Sequence, residues 1–403
     1  MKCGLLGRKL GHSYSPQIHS HLGDYSYKLF EREPEQIGDF LLNGDFDAIN
    51  VTIPYKKDVI PYCSELSDVA KRIGAVNTIV RRNDGSLIGH NTDYFGFIST
   101  VERTGLQIAG KKTLVIGSGG VSKPAVAALE EMGANVVVIS HKENTPEILA
   151  KHDNTSVLVN ATPVGMYPHP GNAPVDINLF PRLEGVLELI YNPARTQLML
   201  DAEKRGIITI NGLWMLVAQA KEASEWFTGG TISNSVIETI HHALRSQMEN
   251  IVLIGMPGSG KSTVSKALAE QLGRTFVDAD AEIIRHAGMS IPEIFETSGE
   301  EGFRAIETQV LAELGMQSGL VISTGGGCVT RQRNYPLLHQ NGTVFCLTRD
   351  LDKLPTDGRP LSQKGSLEEM YRVRKPLYDE FADYIIDNNG SLAQTVTQIC
   401  ALM

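Results

Sequence analysis

Three stretches of this chain carry residue types at spacings that could do chemistry. Residues 255–263 read Gly-Met-Pro-Gly-Ser-Gly-Lys-Ser-Thr and follow a short apolar run. Gly255, Gly258 and Gly260 make a tight turn whose backbone N–H groups can close around phosphates. Lys261 would then reach the β and γ phosphates of a nucleotide, and the Ser262 hydroxyl would ligate Mg2+. A loop that merely turned the chain needs neither this glycine spacing nor the Lys-Ser after it. Gly258, Ser259, Gly260, Lys261, Ser262 and Thr263 are therefore the expected nucleotide-binding positions.

The second stretch, residues 111–140, reads strand, glycine turn, helix, strand. Gly117, Gly119 and Gly120 give G-x-G-G, a variant of the dinucleotide fingerprint, in the context that motif needs. Pro124 is tolerated only in a helix's first turn, which puts the helix start close to Gly120 and Val121. The next strand ends at Ser140, His141 and Lys142. No acidic residue sits directly there to take a ribose hydroxyl, Glu143 being the nearest. Lys142 and a partly charged His141 suit a 2′-phosphate instead.

The third is a pair far apart in sequence, Lys56 and Asp93. A carboxylate beside an ammonium holds and orients it, so the two make a proton-handling unit if the fold brings them together. Asn50, Thr52, Asn77, Thr78 and Asn91 accumulate with them where strands are expected to end, which is where α/β sheets bind ligands.

The elements that must position these groups alternate throughout. KCGLLG and YSYKLFE read as strands, with Ser13 and Ser15 before a helix that starts at Pro16. A helix is expected near 34–43, a strand at FDAINVTIP, a helix at 65–73 and a hairpin over 76–88 around Asn83-Asp84-Gly85. Further βα units follow, and then amphipathic helices at 213–227 and about 231–246. Past the phosphate loop come a helix to about Leu272 and a strand ending at Asp278 and Asp280. Thr297–Gly302 leads into a helix carrying Arg304 and Glu307 on one face. A strand then ends in Gly325, Gly326 and Gly327, DGRPLSQKG has the character of a mobile flap, and a helix with Arg374 precedes a terminal strand.

Composition excludes several classes. A chain of 403 residues is too long for one core and implies two or three domains. A formal charge of −9 without a long Lys/Arg run argues against nucleic acid, so any anion site is local. Cys3, Cys63, Cys328, Cys346 and Cys400 are odd in number and lack metal spacing, as reduced thiols in a cytoplasmic protein would. No stretch approaches a membrane span, and no signal-peptide pattern opens the chain.

Residues 1 to about 245 resemble a shikimate dehydrogenase. The match runs through H-S-x-S-P (12–16), N-V-T-x-P-x-K (50–56), G-A-V-N-T (74–78), N-T-D (91–93), G-x-G-G (117–120), N-A-T-P-x-G-M (160–166), Y-N-P-x-x-T (191–196) and N-G-x-x-M-L (211–216). The resemblance implies reduction of 3-dehydroshikimate to shikimate by NADPH. It also implies that Ser13, Ser15, Asn50, Thr52, Asn77, Asp93, Tyr191 and Gln219 hold the substrate, with Lys56 as proton donor and Asp93 as its partner. Gly117, Ser118, Gly119, Gly120, Val121, Ser140, His141, Lys142, Thr162 and Gly212 would line the NADP(H) site. The chain departs from the family at 140–142, where Ser-His-Lys replaces the usual Asn-Arg-Thr or Asn-Arg-Ser. A lysine is a point charge rather than a bidentate fork, so NADP preference is weakened or relaxed toward NAD.

Residues from about 250 onward resemble shikimate kinase. The matching motifs are the phosphate loop, D-x-D (278–280), F-R-x-x-E (303–307), G-G-G (325–327), R-P-L (359–361) and R-K-P-L-Y (374–378). By resemblance, Asp280 and Gly325, Gly326 and Gly327 hold the hydroxyls of shikimate, and Arg304 and Arg374 its carboxylate. Arg359 bridges the phosphates from a lid, while Asp278 acts through the magnesium shell. Lys261, Asp280 and Arg359 are the residues implied in catalysis, and Ser262 and Asp278 those implied at the metal. The segment before Arg359 is shorter than usual, and Lys353 is the nearest candidate for the adenine-stacking arginine.

The expected fold class is α/β: a two-domain dehydrogenase fused to a P-loop kinase domain. The substrate domain is 1–103, completed by helices 213–246; the Rossmann-like domain is 104–212 and the kinase domain 250–403. The expected function is two consecutive steps using NADP(H), ATP and Mg2+ on small-molecule substrates, with no nucleic acid or membrane partner and a homodimer left open. The alternative is a quinate/shikimate dehydrogenase of relaxed NAD/NADP use fused to the kinase. A binding protein with dead sites would require loss of Lys56, Asp93, Lys261 or Asp280, and all are present.

Overall fold

In the computed structural model, which describes residues 1–11, 13–354 and 367–403, short strands alternate with helices to build three sheets. The chain divides into two compact units. One comprises Met1–Gly165, Asn172–Tyr191 and Asp201–Ala243; the other comprises Met166–Gly171, Asn192–Leu200 and Leu244–Met403. Arg359 and the flap expected around it lie outside the described residues, as does His12. Among the described residues no helix is long and apolar enough to cross a membrane.

The first unit holds two sheets. β1 (Lys2–Gly7), β2 (Ser26–Glu31), β3 (Ala48–Val51), β4 (Glu65–Leu66), β5 (Thr78–Arg81) and β6 (Leu87–His90) lie in the order β2-β1-β3-β5-β6-β4. β1 runs parallel to β2 and β3, whereas β5 and β6 form the antiparallel hairpin expected around Asp84. The segment 65–73 divides into β4 and a helix, Asp68–Ile73, whose first N–H groups are capped by Ser67. β7 (Lys112–Ile116), β8 (Asn135–Ile139), β9 (Val157–Asn160), β10 (Gly185–Glu188) and β11 (Ile208–Ile210) form a parallel sheet in the order β11-β10-β9-β7-β8. The chain reverses its direction of travel across the sheet at β7, so the turn after β7 opens at a topological switch point.

The helix Gly212–Thr228 starts where Asn211 accepts from Leu213 N and ends at Gly229 in the left-handed region. It packs closely on the helix Asp93–Thr104: a Cβ on Gly96 would fall 2.9 Å from Met215 O. That approach carries Gln219 toward the start of the helix bearing Asp93. The following helix spans Ser235–Met248, so only Glu249 separates it from the next strand.

The second unit is a parallel sheet of β12 (Asn250–Gly255), β13 (Thr275–Asp278), β14 (Leu320–Ser323), β15 (Gly342–Thr348) and β16 (Tyr384–Asp387), ordered β13-β14-β12-β15-β16. β12 is central, and its Val252, Leu253 and Ile254 are at most 1% exposed. Burying each such side chain is worth roughly 1.5–3 kcal/mol, which anchors the loop that follows. Three expectations change here. Asp280 does not end a strand; it lies in the first turn of the helix Ala279–Ala287, because Asp278 caps that helix by accepting from Asp280 N and Ala281 N. The helix carrying Arg304 begins at Ile291 and runs to Gly315 with a break at Gly299, whose φ of +67° only glycine adopts easily. The chain ends on a further helix, Leu392–Ala401, rather than on β16.

The segments Met166–Gly171 and Asn192–Leu200 pack within this second unit. Arg195 Nε donates to His339 O at 2.9 Å and Nη2 to Gly342 O at 2.5 Å, and Nη1 pairs with Asp383 at 3.3 Å. The Tyr167 hydroxyl donates to Gly315 O at 2.9 Å.

Candidate active sites

Lys56 lies just past β3 and Asp93 opens its helix, and their side chains meet with Nζ 2.6 Å from Oδ2. They are 21% and 15% exposed, so the pair is sheltered yet reachable. It sits in a cleft of about 530 Å3 that also gathers Ser13, Ser15, Asn50, Thr52, Asn77, Val121, Tyr191, Gly212 and Gln219. Their side chains are held in fixed attitudes. Asn77 Oδ1 accepts from Thr92 N at 2.7 Å while its Nδ2 donates to Thr92 Oγ1 at 3.0 Å. Thr92 Oγ1 reaches Gln219 Oε1 at 3.3 Å, and Ser15 N donates to Ser13 Oγ at 3.2 Å. Asn50 stands within β3 rather than at its end, and its Oδ1 accepts from the Tyr27 hydroxyl at 2.7 Å. A wall of amides and hydroxyls around one ion pair suits a polyhydroxylated ligand that exchanges a proton.

The turn after β7 comes to the same cleft through Val121. Gly117 has φ +108°, and a Cβ there would fall 2.8 Å from Ala161 O, so the turn closes tightly on the strand end beside it. A Cβ on Gly119 or Gly120 would meet nothing within 4 Å, which leaves that face open for a ligand's phosphates against the start of the helix Ser122–Glu131. Ser118 is exposed there. Thr162 is half-buried beside the turn, and its N and Oγ1 both donate to Asn160 Oδ1, at 3.0 and 2.7 Å. At the end of β8 His141 and Lys142 are exposed, and Ser140 donates its N–H and hydroxyl to Glu143 Oε2 at 3.0 and 2.5 Å. Those hydrogen bonds, the hydroxyl's first, hold the Glu143 carboxyl below the usual range, so a negative charge stands beside the strand end.

The second unit's cleft, about 710 Å3, joins Gly258, Gly260, Lys261, Ser262 and Thr263 of the phosphate loop to Asp278, Asp280, Arg304, Gly325, Gly326, Gly327 and Arg374, whereas Ser259 is buried within the loop. Lys261 lies across the loop and donates to Gly255 O and Met256 O at 3.0 Å each. Ser262 Oγ donates to Asp278 Oδ2 at 3.0 Å and is 3.1 Å from Ser323 Oγ. A hydroxyl and a carboxylate are hard oxygen donors that suit Mg2+, which takes its remaining ligands from phosphate and water. No cluster of three or more His, Cys, Asp or Glu that could hold a metal occurs among the described residues.

Opposite the loop, Arg304 Nη1 binds Glu307 Oε2 at 2.8 Å with both side chains at most 3% exposed. Glu307 Oε1 is buried without a hydrogen-bond partner and faces Gly325, as does Asp280. A Cβ on Gly325 would fall 2.8 Å from Asp280 Oδ1, and one on Gly327 would overlap the Arg304 guanidinium. The glycines are thus the reason these charged groups can converge. Arg374 Nη1 donates to Gly326 O at 3.0 Å, and the Tyr378 hydroxyl donates to the same oxygen. Burial first, then the nearby Asp278, pushes the Asp280 carboxyl above its ordinary value. Burial likewise raises Glu307, with Arg304 opposing.

Comparison with known proteins bears on both clefts. Residues 5–79 match the shikimate dehydrogenase substrate binding domain, and residues 257–403 match shikimate kinase. The shikimate dehydrogenase (NADP(+)) of Clostridium perfringens strain SM101 is 33% identical over 266 residues, covering 60% of this chain and 97% of that one. The chain belongs to the shikimate dehydrogenase family. The crystal structure of shikimate dehydrogenase 1 from Peptoclostridium difficile is 37% identical with a TM-score of 0.54, covering 60% of this chain and 97% of its own. The Thermus thermophilus shikimate 5-dehydrogenase, solved with NADP(H) and shikimate, is 29% identical with a TM-score of 0.54, covering 60% and 99%. The shikimate kinase match begins inside the phosphate loop and supplies the remainder of the fusion.

Some residues around the shikimate dehydrogenase and kinase clefts escape a reading by motif. Tyr27 is half-buried behind Asn50 and stacks on His19 with ring centroids 4.0 Å apart. Arg349, at the end of β15, lines the kinase cleft, whereas Lys353 is engaged by Asp350 at 2.6 Å. Glu307 closes the F-R-x-x-E motif, from which a role is read for Arg304 alone. The available signals were Arg349's place directly after a buried strand and the three-residue spacing of Arg304 and Glu307.

Proposed function

We propose that the chain catalyses two consecutive reactions: NADPH-dependent reduction of 3-dehydroshikimate to shikimate, then ATP- and Mg2+-dependent phosphorylation of the shikimate 3-hydroxyl. The observation that carries the first is the 2.6 Å Lys56–Asp93 pair in a cleft that also receives the glycine turn through Val121. Bound NADPH supplies the hydride. As it reaches the carbonyl carbon, charge grows on the ketone oxygen, and Lys56 gives that oxygen a proton while Asp93 orients the ammonium and a substrate hydroxyl. Ser13, Ser15, Asn50, Thr52, Asn77, Tyr191 and Gln219 hold the remaining polar groups.

In the second unit the protein's task is alignment and charge stabilisation, because phosphoryl transfer asks for little covalent chemistry. Lys261 and the loop's N–H groups hold the nucleotide phosphates, with Ser262 and Asp278 at the metal. Asp280 positions the 3-hydroxyl and accepts its proton, while Arg304 and Arg374 take the carboxylate. Arg359 is assigned by resemblance as the lid cation. Five free thiols support a reducing compartment, the cytoplasm.

A second reading of the first activity, relaxed use of NAD and NADP, is favoured by Glu143. Its carboxylate would accept a ribose hydroxyl and repel a 2′-phosphate, against the attraction of Lys142 and His141. The test supplies the full chain with 3-dehydroshikimate, NADPH, ATP and Mg2+ and follows NADPH oxidation together with shikimate 3-phosphate. Lys56→Ala should stop the first product from 3-dehydroshikimate yet still phosphorylate added shikimate. Lys261→Ala should do the reverse. Loss of both activities in either variant, with the chain folded, would refute the assignment of separate sites.

A further inference from the structure

The turn after β16 sits against the phosphate loop. Asn388, the first residue past that strand, donates Nδ2 to Ser259 O at 2.7 Å. Its Oδ1 accepts from Thr395 Oγ1 at 2.7 Å, and its backbone N–H donates to Thr348 O at 2.9 Å. Neighbouring Asn389 pins the same turn by donating Nδ2 to Asp387 Oδ1 at 2.7 Å and Asp350 Oδ1 at 3.0 Å. A carboxamide has a donor end and an acceptor end. Thr395, buried in the first turn of the helix Leu392–Ala401, occupies the acceptor end and so decides that the donor faces Ser259.

Ser259 lies in the bend of the loop, where its N–H donates to Met256 O at 3.1 Å. Its hydroxyl is buried without a hydrogen-bond partner, so its carbonyl rather than its side chain ties it to the C-terminal turn. At Gly260, φ is +96° and a Cβ would fall 2.5 Å from Asn388 Nδ2, so the contact admits glycine alone. A trans peptide points its C=O and N–H in opposite directions. Fixing the Ser259 carbonyl against Asn388 therefore turns the Gly260 N–H the other way, and Gly260 lines the cleft.

We propose that Asn388, oriented by Thr395, is a positioning residue for nucleotide phosphates: it sets the Ser259–Gly260 peptide so that the loop presents its N–H groups to the ligand. The inference rests on residues 255–263 being the nucleotide site. The full-length chain is titrated with ADP and Mg2+, as wild type, Asn388→Ala and Thr395→Val, and the KM for shikimate is measured on each. Asn388→Ala should raise the ADP Kd by about five- to tenfold, the worth of one hydrogen bond, while the shikimate KM stays within about twofold. Thr395→Val adds no charge and leaves Asn388 present, so it should shift ADP in the same direction by less. An unchanged ADP Kd, or equal losses for ADP and shikimate, would overturn the proposal; should Asn388→Ala fail to fold, Thr395→Val decides by the same criteria. Wild-type chain that fails to bind ADP would sink the reading of the loop itself, a result visible without any substitution.

Discussion

The two clefts solve opposite electrostatic problems. In the first unit the lining is mostly neutral amide and hydroxyl, and apart from exposed Lys9 its charge is one ion pair, Lys56 and Asp93. The second unit crowds Asp278, Asp280 and Glu307 against Lys261, Arg304, Arg349 and Arg374. Moving a hydride to a carbonyl creates charge on one oxygen, which a single proton quenches. Moving a phosphoryl group leaves charge spread over several oxygens throughout, so fixed cations and a metal must answer it. On the proposed assignments, the first site depends on one proton donor, and the second on a balance in which no one charge can be removed alone.

Substitutions can break that contrast, beginning with the largest effect. Lys56→Ala should lower kcat for reduction by roughly 10²- to 10⁴-fold, the scale of general acid–base catalysis; a near-normal kcat would remove Lys56 from the chemistry. Arg304→Ala should raise the shikimate KM of the kinase by roughly 10²-fold, since it leaves Glu307 beside Asp280 without its paired cation. Adding Glu307→Gln should recover part of the loss. A shikimate KM within about threefold of wild type in the single variant would show that the charges are not balanced as described.

A smaller effect separates the units by pH. Burial lowers His19 to about 3 and His90 to about 4, both in the first unit. The unfolded rings protonate near pH 6.5, so stability from their neutral forms is complete above that value and is lost as pH falls toward 4. Each ring should contribute a decline of about 1.4 kcal/mol per pH unit in that window. Both tryptophans, Trp214 and Trp226, belong to this unit, and Trp226 stacks on His90 with centroids 4.0 Å apart. Urea melts followed by tryptophan fluorescence should shift to lower midpoints from pH 7 to pH 5, and an unchanged midpoint would contradict the burial argument. The smallest effect is at the cofactor: Glu143→Ala should raise the NADPH/NADH ratio of kcat/KM by roughly threefold, the scale of an exposed charge interaction. No change would mean that the carboxylate only steadies Ser140.

Groups whose chemistry is local in sequence were the easiest to read. The phosphate loop and the G-x-G-G turn follow interior strands, and both strand and turn are written in consecutive residues. The approach of Lys56 to Asp93 was only conditional, because the residue types fit while the distance depends on how a sheet and a helix meet. The Asp280 helix was misplaced because Val-Asp-Ala-Asp reads as a strand continuing, although Asp278 is also a cap. The last helix lies beyond the strand read as terminal, even though Ser391 and Gln394 form a capping box that announces it. Arg349 and Asn388 gain their roles only from partners distant in sequence, and Glu307, although three residues from Arg304, gains its place in the site from Asp280 and Gly325.

The packing of Arg195 within the second unit also constrains how that unit comes into being. Asp383 and Gly342 lie well over a hundred residues downstream of the arginine that binds them. At roughly 5–20 residues per second of synthesis, Asn192–Leu200 leaves the ribosome many seconds before β15 and β16 exist to receive it. Through this interval the segment lacks the partners it binds in the finished fold, and a gene cut at Gln247 would encode a product without it.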